Sequence, residues 1–96
     1  MPYGRFVLYT YPGDVQDLIE RAREGIVPIF KQRPGFLAYG VLVQGDQVIS
    51  MSAWNSESDA KGADEAAKDW VSKNAADMKV VNSVIGDYAW LEFAQQ

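Results

Sequence analysis

The residues of this sequence best suited to chemistry are aromatic rings and hydroxyl groups, because it contains neither His nor Cys. The stretch SAWNSESD, residues 52–59, places Trp54 where an alternating, strand-like run gives way to a helix-like one. Alternation puts Ser52 on the same strand face as Trp54, and Asn55 follows directly. These three side chains could form one wall of a pocket, with the indole ring stacked on a planar ligand. The alternative, which we prefer, is that Trp54 anchors the packing at this corner.

A second tryptophan, Trp70, lies on the apolar stripe of the helix predicted to follow. Such a stripe is usually part of the core, but the small side chains of Ala63 and Ala67 leave space beside the ring for the floor of a cavity. Tyr39 offers a hydroxyl that either has a structural partner or hydrogen-bonds an oxygen of a ligand. The same two interpretations apply to four other hydroxyls, those of Tyr9, Tyr11, Ser50 and Tyr88.

An acid or a base is harder to find in this sequence. Asp87 follows Gly86 inside an otherwise apolar run, where a desolvated carboxylate would be able to take up a proton near neutral pH. A solvated residue at a bulge is the alternative, and we prefer it. Arg5 and Arg33 could hold an anionic ligand, although most arginines face solvent.

Composition narrows the classes of function. The chain has 96 residues, of which 48% are hydrophobic and 23% charged, as is typical of one folded domain, here residues 1–96. Nine basic residues are outnumbered by thirteen acidic ones, for a net charge of −4. This balance disfavours nucleic acid and anionic membrane surfaces as partners.

The missing Cys and His also exclude thiolate and imidazole metal sites and the usual proximal haem ligand. No acidic cluster indicates a metal, and we expect neither a metal nor a cofactor. No apolar run approaches the roughly 18 residues of a membrane span, and the first residues lack the features of a signal peptide. A cytoplasmic location is therefore expected.

Hydrophobic periodicity predicts the element order β-α-β-β-α-β. The first helix begins after an N-cap at Asp14 and the second after one at Asn55 or Ser56. Pro28 is expected to kink or restart the first helix, and Gly25 to weaken it. Strands are predicted at 4–11, 36–43, 48–54 and 80–93, the last with a bulge at Gly86 and Asp87.

Right-handed crossovers and one hairpin arrange these elements as a ferredoxin-like α+β layer, a four-stranded antiparallel sheet with both helices on one face. A sheet solvated on one face normally alternates apolar with polar residues. Here both faces are apolar: Phe6 lies opposite Val7, and Phe36 and Leu42 are expected opposite Tyr39. We therefore expect a homodimer in which two sheets pack through their uncovered faces. A monomer with an unusually apolar face is the alternative.

Three segments carry a resemblance to a known family: RPGFLAYGVL (33–42), GDQVISMSAW (45–54) and AWNSESDA (53–60). Together with the element order, they resemble the antibiotic biosynthesis monooxygenase family of dimeric α/β-barrel proteins. In that family a PGF turn commonly leads the second strand, and a Trp followed by a polar residue and Ser commonly ends the third. The resemblance covers nearly the whole chain and is more specific for the fold than for the activity.

Members of that family differ in activity. Some oxidise small aromatic polyketides or quinols with O₂ and no metal or flavin, whereas others bind and break haem. The haem-degrading members carry an Asn on the first strand, a Trp early in the second helix and a His later in it. This chain has no Asn before Asn55 and no His, and Trp70 comes later than that pattern requires. Haem degradation is therefore disfavoured.

The resemblance implies a cofactor-independent monooxygenase that acts on a small planar aromatic or quinol compound. The alternative is a non-catalytic dimeric module of the same fold that binds a small molecule or serves a structural role. In either case the expected site lies in a cleft between the sheet and the helices. Its candidate residues are Tyr39, Ser52, Trp54, Asn55, Trp70 and Asp87.

Overall fold

The computed structural model describes residues 2–94. Along the chain lie β1 (Tyr3–Thr10), α1 (Val15–Gln32), β2 (Phe36–Gln44), β3 (Gln47–Trp54), α2 (Glu57–Asn74) and β4 (Lys79–Asp87). The strands form one antiparallel sheet in the order β2-β3-β1-β4, and both helices cover the same face. The predicted ferredoxin-like α+β fold is confirmed.

Local sequence signals set the starts of both helices. The Asp14 side chain accepts a hydrogen bond from the Asp17 backbone N–H, and Ser56 does the same for Asp59, so each N-cap satisfies one free donor. The prediction that Pro28 restarts the first helix is wrong, because α1 continues through it. Pro28 lies on the exposed side of the helix, where water can bond the carbonyl that its missing N–H leaves free.

The two faces of the sheet are assigned by alternation along β1. Arg5, Val7 and Tyr9 are buried beneath the helices, whereas Phe6 and Leu8 lie on the opposite face. Cross-strand partners share a face, so the pairing extends this assignment to the other strands. We call the uncovered face the open face; its large apolar residues are Phe6, Leu8, Leu42, Ile49, Met51 and Val84.

Phe36 does not share the open face with Leu42, contrary to the expectation from strict alternation. The pairing of β2 with β3 shifts between Phe36 and Ala38, and the extra residue, Leu37, reverses the side-chain direction before it. Phe36 therefore packs beneath the helices, with its ring centroid 5.5 Å from that of Trp54.

The last strand is shorter than predicted. It ends at Asp87, and residues 88–94 have no regular secondary structure. The bulge is also displaced: the register shifts where Leu8 and Tyr9 of β1 meet β4, which leaves Val81 as the extra residue. After β4 the chain passes over one end of the open face, where the Tyr88 hydroxyl donates to the Ser52 carbonyl across 3.3 Å.

Candidate functional site

A cavity of about 290 Å³ lies between the two helices and the covered face of the sheet. Most of its lining is aliphatic, supplied by α1 and α2 and by the β2 and β3 strands. This volume is near the lower end of the range for ligand pockets, roughly 300–1,000 Å³. The aromatic and polar side chains of the lining are few: Tyr9, Arg23, Tyr39, Ser50 and Trp70.

Trp70 forms one wall of this cavity and is half-buried. Its indole lies against α1 at Gly25, where a Cβ would come within 2.9 Å of Cε2. Gly25, which was expected to weaken the helix, therefore allows the indole ring to pack closely against α1. Trp70 also packs beside Ala63 and Ala67, which belong to the stripe of α2 that contacts the core.

Three hydroxyl-bearing residues lie on the sheet side of the cavity. Tyr9, Tyr39 and Ser50 come from three adjacent strands and all line it. Burial raises the pKa of the Tyr39 phenol, while a hydrogen bond with Ser50 and the nearby charge of Arg5 act in the opposite direction. Tyr39 is therefore protonated at neutral pH, and its hydroxyl is able to donate a hydrogen bond to a ligand.

Arg5 is the buried cation behind these hydroxyls, and only 1% of its surface is exposed. Its Nη1 donates to Ser50 Oγ at 3.2 Å and its Nη2 to the Tyr9 hydroxyl at 3.3 Å. Its Nε donates to Asp64 Oδ1 at 2.8 Å. The expectation that Arg5 faces solvent is wrong, and the guanidinium instead links two residues of the cavity wall.

Asp64 is the carboxylate that neutralises Arg5. Burial by itself would raise the pKa of the Asp64 carboxyl, but hydrogen bonds from Arg5 and Lys68, together with their charges, lower it on balance. Lys68 Nζ lies 3.0 Å from Asp64 Oδ2 and its side chain is largely exposed. One carboxylate thus connects a buried cation to a surface cation.

The sequence contains signals for both members of this pair. Arg5 alternates with Val7 and Tyr9, so it had to share their buried face. Asp64 stands four residues after Ala60 and three before Ala67, within the buried stripe of α2. Its charged residue type alone would favour the polar face of α2, but its position in this stripe buries it.

Trp54 lies outside the lining of the cavity. It is completely buried, and its ring meets Phe30 edge-on at 5.3 Å between centroids. Its indole N–H donates to Ser52 Oγ at 2.9 Å, so Ser52 serves as the internal partner of this ring. This position favours a packing role for both residues.

We predict that Trp54→Phe lowers the free energy of unfolding by about 1–3 kcal/mol, because a smaller ring leaves a void and Ser52 loses its donor. Ligand affinity should not change. Urea unfolding and ligand titration measure the two effects. Trp90→Phe is the matched control, since Trp90 is largely exposed and its replacement should alter neither quantity. A loss of affinity at unchanged stability would instead place Trp54 in the ligand site.

The remaining predicted site residues lie apart from the cavity. Asn55 is exposed, and its backbone N–H donates to the Gly35 carbonyl. Asp87 is exposed at the end of β4. Arg33 is half-buried against α2, where a Cβ at Gly62 would collide with its guanidinium. The structure thus brings Tyr39 and Trp70 together at the cavity and leaves Ser52, Trp54, Asn55 and Asp87 elsewhere.

Within residues 2–94, no three acidic side chains converge as a metal site would require. Neither of the helices in that range combines the length and the apolar character needed to cross a bilayer.

No protein-family model and no curated protein matches the chain. Solved structures do. SnoaB from Streptomyces nogalater, a cofactor-independent oxygenase studied as a mutant, gives a TM-score of 0.76 at 12% identity, over 94% of this chain and 95% of that one. The monooxygenase from the ActVA-Orf6 gene of Streptomyces coelicolor, solved with Nanaomycin D, gives 0.70 at 18% identity, over 97% and 92%.

A dimeric ferredoxin-like protein from an uncultured marine organism gives a TM-score of 0.67 at 15% identity, over 95% of this chain and 98% of that one. At such identities the likeness concerns the fold and carries no substrate or activity with it. The coverage is nearly complete on both sides, so the shared architecture extends from β1 to β4. The chain has the fold of the antibiotic biosynthesis monooxygenases, as the TM-score of 0.71 at 19% identity with one from Nitrosomonas europaea, over 92% of this chain and 91% of that one, also shows.

Proposed function

We propose that this protein binds a small planar phenol or quinol in the cavity and oxygenates it with O₂, without a cofactor. The observation that carries the proposal is the cavity itself, whose lining is mostly aliphatic and also includes Trp70, Tyr9 and Tyr39. A hydrophobic ring suits the aliphatic and indole surfaces, and a ring oxygen suits the two phenol hydroxyls. The shared fold with cofactor-independent oxygenases supports the same class of reaction.

The chemistry needs an electron-rich substrate. Loss of a proton from a hydroxylated anthrone gives an anion that transfers electrons to O₂, and a carbon–oxygen bond forms at the former methylene carbon. One oxygen atom stays as the new carbonyl, and the other leaves with the two methylene hydrogens as water. The equation balances with no external reductant. The protein's part is to hold the ring and to stabilise the anion.

Simple binding without oxygenation is the second candidate, and one observation favours it. Among the residues of the cavity wall that the structure describes, none is a carboxylate or an imidazole that would take the substrate proton. An oxygenase built on this site must therefore let water remove the proton from a phenol that the site has made more acidic.

Oxygen uptake with a panel of hydroxylated anthrones and naphthols distinguishes these functions. An oxygenase consumes O₂ above the rate without protein, and the rate falls in a folded Trp70→Phe variant. A binding module shows quenching of Trp fluorescence by the same compounds with no uptake. If the protein showed no oxygen uptake and no fluorescence quenching with any of these compounds, the assignment of a ligand to the cavity would be overturned.

We predict that Ala22→Leu abolishes ligand binding and leaves the melting temperature unchanged or slightly raised. Ala22 lines the cavity from α1, so three added carbons occupy the space of the ligand and fill a void at the same time. Fluorescence titration and thermal unfolding measure the two quantities. Ala66→Leu on α2, outside the cavity wall, is the matched control and should still bind. Retained binding in Ala22→Leu would place the ligand elsewhere.

We also propose that two copies of the chain associate through the open face. Phe6, Leu42 and Val84 are all exposed there in the single chain, and a monomer rarely tolerates so large an apolar patch. Beside them, Leu91 and Phe93 of the segment after β4 line a cavity with Met51. A sheet-to-sheet dimer would bury this surface on both copies.

A further inference from the structure

Arg5 is the feature of the site that a purely apolar pocket would not need. Burying a guanidinium costs several kcal/mol unless its donors and its charge are satisfied. Only Nε reaches Asp64, whereas both terminal nitrogens donate to hydroxyl oxygens, those of Tyr9 and Ser50. The cation is therefore directed towards the cavity wall.

The direction of these hydrogen bonds determines what the hydroxyls can offer. Each accepts from Arg5 through its oxygen, so each keeps its own proton to donate to another group. Burial raises the pKa of the Tyr39 phenol, and the Ser50 hydroxyl, which interacts with this phenol, acts to lower it. In residues 2–94 the Tyr9 proton has no acceptor in the protein, and a ligand oxygen in the cavity could take it. A hydroxyl that accepts from a cation is also a stronger donor.

The charges around the sheet side of the cavity are positive on balance. Arg5 and Asp64 form a buried pair without net charge, and the exposed Lys68 adds one positive charge beside Asp64. Arg23 of α1, which is also exposed, adds another positive charge at the cavity lining. Of the titratable or charged groups near the sheet side, Tyr9 of β1, Tyr39 of β2 and Arg23 of α1 line the cavity. Arg5 of β1 lies behind the Tyr9 and Ser50 hydroxyls, and Asp64 and Lys68 of α2 follow behind Arg5.

We propose that Arg5, held by Asp64, makes the sheet side of the cavity an oxyanion site that binds a phenol in its ionised form in preference to its neutral form. This inference rests on the proposed function in taking a phenol as the ligand, but it does not require oxygenation. Arg5 acts through Tyr9 and Ser50 and is a positioning residue. By stabilising the phenolate, the site lowers the pKa of the bound phenol. Water can then remove the proton, although the part of the cavity wall that the structure describes contains no base.

The test uses 4-nitrophenol, whose phenolate absorbs at longer wavelength than its neutral form. Its titration is followed with the protein in excess and compared with that of the free probe. We expect the titration midpoint of the bound probe to fall by about one pH unit or more, which corresponds to a roughly tenfold preference for the phenolate. Nitrobenzene, which has no ionisable oxygen, serves as the neutral competitor.

Variants test whether the charged and hydroxyl groups around Arg5 cause the shift in the titration midpoint. The double replacement Arg5→Met with Asp64→Leu removes both buried charges together, so that neither is left unpaired, and should abolish the shift while leaving nitrobenzene binding intact. Arg5→Lys keeps the charge and should restore part of the shift. Tyr9→Phe should reduce it, because one donor to the probe oxygen is lost. Arg23→Met removes the cation at the cavity lining and should reduce the shift.

The outcomes separate this inference from the proposed function. An unchanged or raised midpoint, an equal shift in the charge-free double variant, or binding of nitrobenzene but not of 4-nitrophenol would overturn the oxyanion site. A lowered midpoint without oxygen uptake on any substrate would retain the oxyanion site and remove oxygenation. Binding of neither probe would overturn both.

Discussion

Asp64→Ala should destabilise the folded chain by about 3–5 kcal/mol, the loss expected when one partner of a buried ion pair is removed. The variant leaves the Arg5 guanidinium buried with no counter-ion, and Lys68 loses its partner as well. This is a large fraction of the roughly 5–15 kcal/mol that holds a small domain together. Urea unfolding followed by Trp fluorescence measures it.

The matched control for this variant is Asp69→Ala on the same helix. Asp69 pairs with Lys73 at 3.1 Å, but both side chains are largely exposed, so the loss should be about 0.5 kcal/mol or less. Replacing Arg5 by Met together with Asp64 by Leu should recover most of the stability, because no unpaired charge remains. If the double variant were no more stable than Asp64→Ala, the pair would not explain the loss.

Phe6→Glu should convert the proposed dimer into monomers. Phe6 lies on the open face and on β1, one of the two inner strands of the sheet, so two carboxylates would meet near the middle of the proposed interface. Desolvating them costs several kcal/mol, and each 1.4 kcal/mol or so is a tenfold weakening. In sedimentation equilibrium we expect the wild-type protein to have twice the 10.7 kDa mass of the chain. The variant's dissociation constant should be at least a hundredfold higher than that of the wild type.

Ile29→Glu is the control for the dimer experiment. Ile29 is 39% exposed and Phe6 is 36% exposed in the single chain, but Ile29 lies on α1, away from the open face. The same change there should leave the mass unchanged. A wild-type chain that stays at 10.7 kDa at all concentrations would contradict the proposed dimer.

The fold could be predicted because its signals are local and mutually consistent. The caps at Asp14 and Ser56 set the helix starts, and the alternation in β1 and β3 separates the two faces of the sheet. The deviations come from backbone irregularities that alternation does not encode. One extra residue at Leu37 moved Phe36 to the covered face, and another at Val81 displaced the bulge.

The candidate site was harder to predict, because it depends on which residues meet across the fold. Tyr39 and Trp70 were named from the sequence and do line the cavity. Trp54 drew more attention but lies in the core, since a corner residue of that size fills space between Phe30 and Phe36. Arg5 was expected to face solvent because of its residue type, whereas its position in the alternation of β1 buries it. Asp64 is likewise buried by its position in the helical stripe of α2.

The most direct test of the central claim is oxygenation of a hydroxylated anthrone under ¹⁸O₂ by the purified protein. Cofactor-free oxygenation in the cavity predicts one O₂ consumed for each quinone formed and one labelled atom in the new carbonyl. It also predicts a rate above that without protein, lost in Ala22→Leu and kept in Ala66→Leu. No protein-dependent uptake, or an equal rate in Ala22→Leu, would contradict the account.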